Sequence, residues 1–434
     1  YFLFFPMITV IDHKEPQKAK PSEKFLTPKK LYLPLSQHTG KPSNPCVKIS
    51  DLVQEAQLIA KADGYISSNL HAPVSGKIAA VERYNHPVLQ SAEAIVLEPS
   101  GTNKEYLFSE PAKSLKKEEL LEIIAQAGIV GMGGAAFPSQ VKLKPPKKII
   151  TLIINGCECE PYLTCDHRLM LENLKEIFLG IEIICRIIEP SKVIFAIEEN
   201  KPDVIKQLNL YVNTKKFNLP ALETVILPHE YPQGSEKQLI YNTTNRKVPG
   251  GKLPLDVGCL VHNVATCFAI YQAVYYSKPL IERLVSFCGE ALTSPKNIWV
   301  KIGTSLRELF EQKILELDCE PAKIISGGPL MGIALTDLDY PILKSTGGFL
   351  FLKPSPDPVS EQPCLKCARC VDNCPMGLLP LEYVRQVKRE NYESLTGYNI
   401  NDCIECGCCT YGCPAKISLV HYIKIGKGYV PKSN

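Results

Sequence analysis

The sequence contains no uninterrupted run of apolar residues long enough to cross a bilayer, for which a helix needs about 20 such residues. Its best apolar stretch, Ile177 to Ile188, includes Glu182 and Arg186, so we predict a helix in a domain core. The apolar opening, residues 1–11, has no basic residues before it and does not resemble a signal peptide. We therefore expect a chain with no direct membrane span.

The sequence also has no strong excess of acidic over basic residues, or of basic over acidic ones. The 434 residues include 49 basic and 45 acidic ones, which gives a net charge of +4. This balance is too even to indicate a nucleic-acid partner. The length and the hydrophobic fraction of 45% predict a globular chain of about two to four domains.

Cysteine is abundant, with 18 residues, and eight of them form two runs with the spacing C-x2-C-x2-C-x3-C-P. This spacing is typical of bacterial ferredoxins with two [4Fe–4S] clusters, in which the fourth cysteine of each run ligates the other cluster. We predict one cluster on Cys364, Cys367, Cys370 and Cys413. We predict the other cluster on Cys403, Cys406, Cys409 and Cys374. The chain should therefore transfer single electrons.

Two alternatives for these runs are a pair of zinc sites and a disulfide knot. Zinc ligands usually come in two pairs, without a proline after a run of four, so the clusters are favoured. Clusters also indicate a reducing compartment. Cys408 lies between two predicted ligands and is expected to be a spare thiol. For Cys157, Cys159 and Cys165, buried thiols are favoured over a third metal site.

The first hundred residues predict an arm and a small β domain. Residues 1–35, rich in lysine and proline after residue 14, are expected to form an extended arm on the surface. Within residues 36–112, short alternating strands resemble the halves of a lipoyl-like barrel-sandwich, in which glycine is usual at the positions of Ser50 and Ala56. The hairpin Ala62–Tyr65 has no lysine, so we interpret the domain as structural and not as an acyl carrier.

Residues 113–278 predict an α/β domain. Ser114 is a plausible N-cap for a helix that ends before Gly128, and a glycine-rich loop and Lys142 follow. Such a loop lets backbone N–H groups approach a phosphate. The strands Lys147–Ile154, Lys192–Ile197 and Thr224–Leu227 are apolar and each precedes a polar loop. These loops should meet at the carboxyl edge of a parallel sheet and form a nucleotide site.

Several motifs resemble the FMN- and NADH-binding core of the flavoprotein subunit of respiratory complex I. Over nearly the whole chain the resemblance is to the C subunits of Rnf-type ion-translocating ferredoxin:NAD oxidoreductases. The resemblance implies an FMN site formed by Gly131, Gly133, Gly134, Lys142, Asn155, Glu158, Tyr231, Gly234, Glu236 and Asn263. It also implies that Phe137 and Glu160 lie towards NAD(H). The sequence departs from the family motifs at Cys157, Ser235 and His262.

The resemblance completes a multidomain α+β architecture. It implies a β-grasp module in residues 279–352, after the barrel-sandwich and the α/β domain. Residues 353–434 then contain a proline-rich linker and the ferredoxin-like domain with both cysteine runs. A helix from Leu381 to Arg389 should separate the two runs.

The implied function is electron transfer within a multi-subunit membrane complex. Electrons would pass between NADH and ferredoxin through FMN and two [4Fe–4S] clusters, coupled to ion translocation by partner subunits. Those partners include integral membrane and iron–sulfur subunits, which would hold this chain at the cytoplasmic face of the bacterial inner membrane. Two alternatives are a corrinoid reductase of the propanediol-utilisation type and a flavin-less relay or docking subunit, the latter permitted by Ser235 and His262.

Overall fold

The computed structural model describes residues 7–101, 104–110, 114–214, 217–355 and 360–431. The helices are α1 (Glu15–Lys18), α2 (Lys117–Gln126), α3 (Ser139–Lys142), α4 (Cys165–Ile188), α5 (Pro202–Thr214), α6 (Glu236–Thr244), α7 (Val264–Tyr276), α8 (Leu306–Glu311), α9 (Arg369–Asp372), α10 (Pro380–Val387), α11 (Cys408–Tyr411) and α12 (Leu419–Tyr429). Short 3₁₀ helices span Pro254–Val257, Glu393–Tyr398 and Ile400–Asp402.

The strands form four sheets in the described residues. They are β1 (Glu23–Phe25), β2 (Leu31–Pro34), β3 (Asn44–Pro45), β4 (Leu52–Val53), β5 (Leu58–Lys61), β6 (Leu70–His71), β7 (Gly76–His86), β8 (Gln90–Pro99), β9 (Thr151–Gly156), β10 (Lys192–Glu198), β11 (Ala221–Leu227), β12 (Cys259–Asn263), β13 (Glu282–Cys288), β14 (Lys296–Lys301), β15 (Lys323–Ser326), β16 (Ile333–Leu335) and β17 (Gly348–Leu352). The sheet orders are β2-β8-β7-β4, β3-β5-β6, β11-β10-β9-β12 and β1-β14-β13-β17-β15-β16.

The predicted surface arm is instead part of two sheets. Strand β1 pairs in parallel with β14, and β2 pairs antiparallel with β8. Leu31 and Leu33 are fully buried, because the alternation of apolar side chains on β2 directs them to the core of the barrel-sandwich. The arm prediction is therefore wrong for these strands, since it relied on the lysine and proline content and overlooked this short period-2 pattern.

The strands between residues 31 and 99 form the two antiparallel sheets of the barrel-sandwich. Ser50 and Ala56 occupy positive φ values of 76° and 69°. Glycine adopts this left-handed region without steric cost, whereas a residue with a Cβ does not. The structure therefore explains why glycine is usual at both positions of the fold.

The parallel sheet of the α/β domain has helices on both faces because the residues of each strand alternate between them. Leu152 and Ile154 of β9 pack with α4 and α7, whereas Ile153 packs with α6. All pairings in this sheet are parallel, so the loops after its strands meet at one edge. The three predicted strands are present, although the first begins at Thr151 and not at Lys147 and the third begins at Ala221 and not at Thr224. The prediction that their polar loops converge is confirmed.

The first helix of this domain begins later than predicted. It starts at Lys117, and the Lys116 amide donates to Glu119 Oε2 at 2.7 Å, so Ser114 is not the N-cap. Glu119 thus satisfies the backbone amide of the N-cap residue Lys116, which is one half of a capping box. At the other end Gly128 has a φ of 64°, as expected for the residue after a helix C-cap.

The six-stranded mixed sheet carries α8 on one face, where Leu306 and Leu309 pack against Val285 and Phe287. This arrangement agrees with a β-grasp module, which stays a prediction. Residues 356–358 of the predicted linker, and the predicted boundary between residues 112 and 113, lie outside the described residues. In the described ranges, none of the helices is both long and apolar enough to cross a membrane.

Candidate functional site

The glycine-rich loop, residues 128–138, opens onto the carboxyl edge of the parallel sheet. The Gly131 amide donates to the Phe137 carbonyl at 2.8 Å, which closes the loop on itself. Gly133 and Gly134 are exposed, and Phe137 is half-buried. Gly134 has a φ of 111°, and a Cβ there would meet no atom within 4 Å. The loop therefore presents bare backbone to a ligand, as contact with a phosphate requires.

Two asparagines at the ends of neighbouring strands form the floor of the site. Asn155 of β9 pairs in register with Asn263 of β12. The Asn155 Nδ2 atom donates to the Gly234 carbonyl at 2.9 Å. A Cβ on Gly133 would lie 3.2 Å from the Cβ of Asn263. The structure thus brings together predicted residues from four separate parts of the chain.

A cation and a buried imidazole lie next to this floor. Lys142 Nζ is 2.8 Å from Glu236 Oε1. Burial, and then the charge of Lys142, lowers the pKa of His262 to about 3, so the imidazole is neutral. Its Nε2 is buried without a hydrogen-bond partner in the described part of the chain. An orphaned ring nitrogen, a lysine and bare glycine backbone together fit an anionic, phosphate-bearing cofactor such as FMN.

Glu158 lies at the beginning of α4. Its carboxylate accepts hydrogen bonds from the amides of Asp166 at 2.8 Å and His167 at 3.1 Å, where the helix dipole favours a negative charge. Burial, and then Glu158, raises the pKa of Asp166 to about 7. Asn263 Nδ2 donates to Asp166 at 2.6 Å. In these contacts Glu158 caps the start of α4 and Asp166 holds Asn263, and the contact of Glu158 with FMN stays a prediction.

Glu160 is held by the loop at residues 327–332. Its Oε1 accepts from the Met331 amide at 2.8 Å and its Oε2 from the Leu330 amide at 3.2 Å. A Cβ on Gly328 would lie 2.1 Å from Oε2, so this approach requires glycine. Burial raises the pKa of Glu160, while these donors lower it. The contacts give Glu160 a structural role, and its place beside NAD(H) stays a prediction.

Tyr231 joins the predicted flavin-side loops to the second cysteine run. Its side chain is 0% exposed, and its hydroxyl donates to the Cys406 carbonyl at 2.8 Å. The same hydroxyl lies 3.1 Å from Glu160 Oε1. Close by, Gly407 packs on the Leu330 carbonyl, which a Cβ would approach to 2.7 Å. The candidate flavin site and the second cysteine run are therefore in direct contact.

The cysteine runs themselves are folded around one another. All 18 cysteines are free, and none is paired as the disulfide alternative would require. One cavity is lined by Cys374 of the first run together with Cys403, Cys406 and Cys409 of the second. Burial, and then the electrostatic interaction with the nearby Cys413 and Cys364, raises the pKa of Cys370. The fourth cysteine of each run thus lies with the other run, and free thiols gathered in this way fit [4Fe–4S] clusters.

Exposure distinguishes the two sets of cysteines, whereas backbone amides donate to both, with the Lys366 amide 3.4 Å from Cys364 Sγ in the first set. The Leu378 amide donates to Cys374 Sγ at 3.3 Å and the Glu405 amide to Cys403 Sγ at 3.4 Å, and such donors stabilise thiolates. Cys364 and Cys367 are exposed, whereas the cysteines at 374, 406 and 409 are buried. Two cysteines of the first set therefore lie at the surface, whereas the second set lies beside Tyr231.

Comparison with curated proteins decides the family. A relative from Clostridium ljungdahlii, the C subunit of a proton-translocating ferredoxin:NAD(+) oxidoreductase complex, is 44% identical over 95% of this chain and 91% of its own length. The chain belongs to the family of C subunits of ion-translocating oxidoreductase complexes. Another C subunit, from Rhodobacter capsulatus, is 40% identical over 96% of this chain and 81% of its own length. The chain covers 54% of the C subunit from Pseudomonas aeruginosa, at 38% identity.

Models of three domain families match this chain. The RnfC barrel sandwich hybrid domain matches residues 6–102, the Nuo51 FMN-binding domain residues 124–272, and the 4Fe–4S dicluster domain residues 363–417. They confirm the predicted barrel-sandwich and both predicted cofactors. A NAD+-reducing [NiFe]-hydrogenase shares the fold with a TM-score of 0.53 at 17% identity, over 68% of this chain and 60% of that one.

The departures from the family motifs do not disturb the backbone of the site. Ser235, where Rnf-type C subunits usually have glycine, has a φ of −66° and precedes α6 without strain. Cys408 is buried within 4.0 Å of the Tyr231 carbonyl and is not among the four cysteines that line the cavity. Cys157 is a buried thiol at the edge of the α/β core.

Some residues of the site could not be identified from sequence patterns. Arg283 is buried beside Cys165 and Asp166, and burial lowers its pKa while these two neighbours raise it. Lys201 and Glu198 form a buried ion pair at 2.8 Å, and Lys201 also donates to the Cys157 carbonyl. The charged stretch after β10 is the only sequence feature that pointed to this pair.

Proposed function

We propose that this chain transfers electrons between NAD(H) and ferredoxin within a membrane complex that couples the transfer to ion translocation. The contact of Tyr231 with Cys406, 2.8 Å from oxygen to oxygen, carries the proposal. It joins the candidate flavin site to a set of cysteines that fits a [4Fe–4S] cluster. The names of the relatives in Clostridium ljungdahlii and Rhodobacter capsulatus support the same activity.

The chemistry requires a group between the nicotinamide and the clusters. Nicotinamide exchanges a hydride, an iron–sulfur cluster takes single electrons, and bound FMN supplies the conversion between them. We assign the phosphate of FMN to the glycine backbone at residues 133–134, to Lys142 and to the orphaned His262 Nε2. For this to happen Lys142 must turn from Glu236 or be shared with it. Asn155 and Asn263 shape the floor of the site.

The difference in exposure suggests the order in which electrons pass through the two sets of cysteines. The set of Cys374, Cys403, Cys406 and Cys409 lies next to Tyr231 and so faces the flavin site. Cys364 and Cys367 of the other set are exposed, so we assign this set to electron exchange with partner proteins. We place integral membrane and iron–sulfur subunits among these partners, and the chain at the cytoplasmic face of the bacterial inner membrane, held there by them.

The domain boundaries belong to the same proposal. The α/β flavin domain would cover residues 113–278, the β-grasp module residues 279–352 and the ferredoxin domain residues 353–434. The match of the barrel-sandwich family over residues 6–102 supports including part of the predicted arm, residues 1–35, with the predicted barrel-sandwich, residues 36–112.

Anaerobic reduction of the purified chain with intact clusters and FMN tests the proposal. We expect NADH to bleach the cluster absorbance and FMN to be released on denaturation. A Lys142→Gln variant, which loses the cation of the site, should lose the NADH-dependent bleaching while dithionite still reduces the clusters. Absence of FMN with intact clusters would favour the flavin-less relay, and NADH-dependent reduction of cob(III)alamin would favour the corrinoid reductase.

A further inference from the structure

We propose that the barrel-sandwich acts as a clamp that holds the glycine-rich loop in its flavin-binding conformation, with Thr39 as the main positioning residue. This inference rests on the proposed function, because it assigns the loop to FMN. The barrel-sandwich would then contribute to the flavin site without touching the cofactor. Holding the loop would give the barrel-sandwich a structural role, which is consistent with its lack of the lysine that an acyl-carrier domain needs.

Thr39 forms two hydrogen bonds with the part of the loop that follows the exposed glycines. Its amide donates to the Ala136 carbonyl at 3.1 Å, and its hydroxyl donates to the Ala135 carbonyl at 2.7 Å. Ala135 follows Gly134, the residue with open space around it. Gly40, the neighbour of Thr39, has a φ of 109°, and a Cβ there would lie 2.1 Å from the Ile66 carbonyl. Thr39 is therefore held by a turn that only glycine permits.

The barrel-sandwich also reaches both ends of the loop, directly after it and through Lys344 before it. After the loop, Gln140 Nε2 donates to the Ser67 carbonyl at 2.8 Å. Before it, the buried Lys344 Nζ donates to the Gly128 carbonyl at 2.8 Å and to the Asn69 carbonyl at 2.5 Å. Lys344 belongs to the region predicted as the β-grasp module. It therefore links Gly128, at the end of α2, to both this region and the barrel-sandwich. These contacts fix the loop at both of its ends.

The opposite side of the loop rests on α7. The Met132 amide donates to Thr266 Oγ1 at 2.9 Å, and Gly133 packs against Asn263. Glycine loses more conformational entropy on ordering than any other residue, so a loop of glycines binds a ligand weakly unless its order is already imposed. The contacts with α7 order the start of the loop, and those of Thr39 order its exposed part.

The test compares Thr39→Val, which keeps the shape but removes the hydroxyl, with Thr39→Ser, which keeps the hydroxyl. FMN affinity is measured by fluorescence titration of the full chain with clusters intact and FMN removed. Loss of one neutral hydrogen bond should weaken FMN binding by roughly fivefold in Thr39→Val, with recovery in Thr39→Ser. The matched control is Thr336→Val, whose hydroxyl donates to Asp337 at 2.9 Å, outside the loop.

Hydrogen–deuterium exchange of the chain without FMN gives a second readout, independent of the cofactor. Amides 131–136 should exchange faster in Thr39→Val than in the wild type and the Thr336→Val control. Unchanged FMN affinity and unchanged exchange in Thr39→Val would overturn the clamp, as would equal losses in both valine variants. If the wild type bound no FMN, the proposed function would fail, whereas faster exchange in Thr39→Val would still support the positioning of the loop.

Discussion

Replacing Tyr231 by phenylalanine should weaken the contact between the domain that carries both cysteine runs, here called the cysteine-rich domain, and the loop of the candidate flavin site that contains Tyr231. The change removes a fully buried hydroxyl and leaves the Cys406 carbonyl without that donor, which lies 2.8 Å away. Glu160 also loses a neighbour, but it keeps the amides of Leu330 and Met331. A buried acceptor without its donor costs about 1–2 kcal/mol, so the equilibrium constant for local opening should rise roughly 5- to 30-fold.

Hydrogen–deuterium exchange measures this opening directly at amides 404–409 and 328–332. Tyr383→Phe is a matched control, because the hydroxyl of this equally buried tyrosine donates to the Tyr398 carbonyl at 2.7 Å within the cysteine-rich domain. Exchange in the two segments should accelerate in Tyr231→Phe and stay at the wild-type rate in Tyr383→Phe. Equal rates in the wild type and Tyr231→Phe would refute the idea that this hydroxyl holds the two surfaces together.

Three further predictions concern buried groups. Lys201→Met leaves Glu198 buried without its partner and should cost about 3–5 kcal/mol of stability, seen as a lower thermal midpoint that the added change Glu198→Leu largely restores. Cys374→Ser should remove the paramagnetic resonance signal of the cluster of the second run, and loss of the other signal instead would contradict the exchange of fourth cysteines. Burial and Glu158 raise the pKa of Asp166 to about 7. Its contribution to the free energy of unfolding is therefore full below about pH 4 and declines as the pH rises through about 7. Asp166→Asn should remove this decline from a plot of thermal midpoint against pH.

The parts of the fold that follow a local pattern could be predicted. The strands β9, β10 and β11 are apolar runs that precede polar loops, and their parallel pairing then requires the loops to share an edge. The convergence of Asn155, Gly234 and Asn263 follows from that geometry. By contrast, β1 has only three residues, too few for a period to appear, and its pairing with β14 depends on the rest of the sheet.

The role of individual carboxylates could not be predicted in the same way. Glu158 and Glu160 are separated by one residue, so sequence reasoning placed both near the ligand. The structure directs Glu158 to the amides at the start of α4 and Glu160 to the amides of Leu330 and Met331. These partners belong to different elements, and the choice between them depends on how the domains pack.

The sequence by itself determined the parallel sheet with its glycine-rich loop and predicted the two sets of cluster ligands, because apolar strand runs and cysteine spacing are short-range properties of the chain. Only the tertiary structure decided that Tyr231 contacts Cys406 and that Thr39 holds the loop at Ala135 and Ala136. The partners of the two side-chain hydrogen bonds are 175 and 96 positions apart in the chain. Such contacts arise from the packing of one domain against another, which no local pattern of residues encodes.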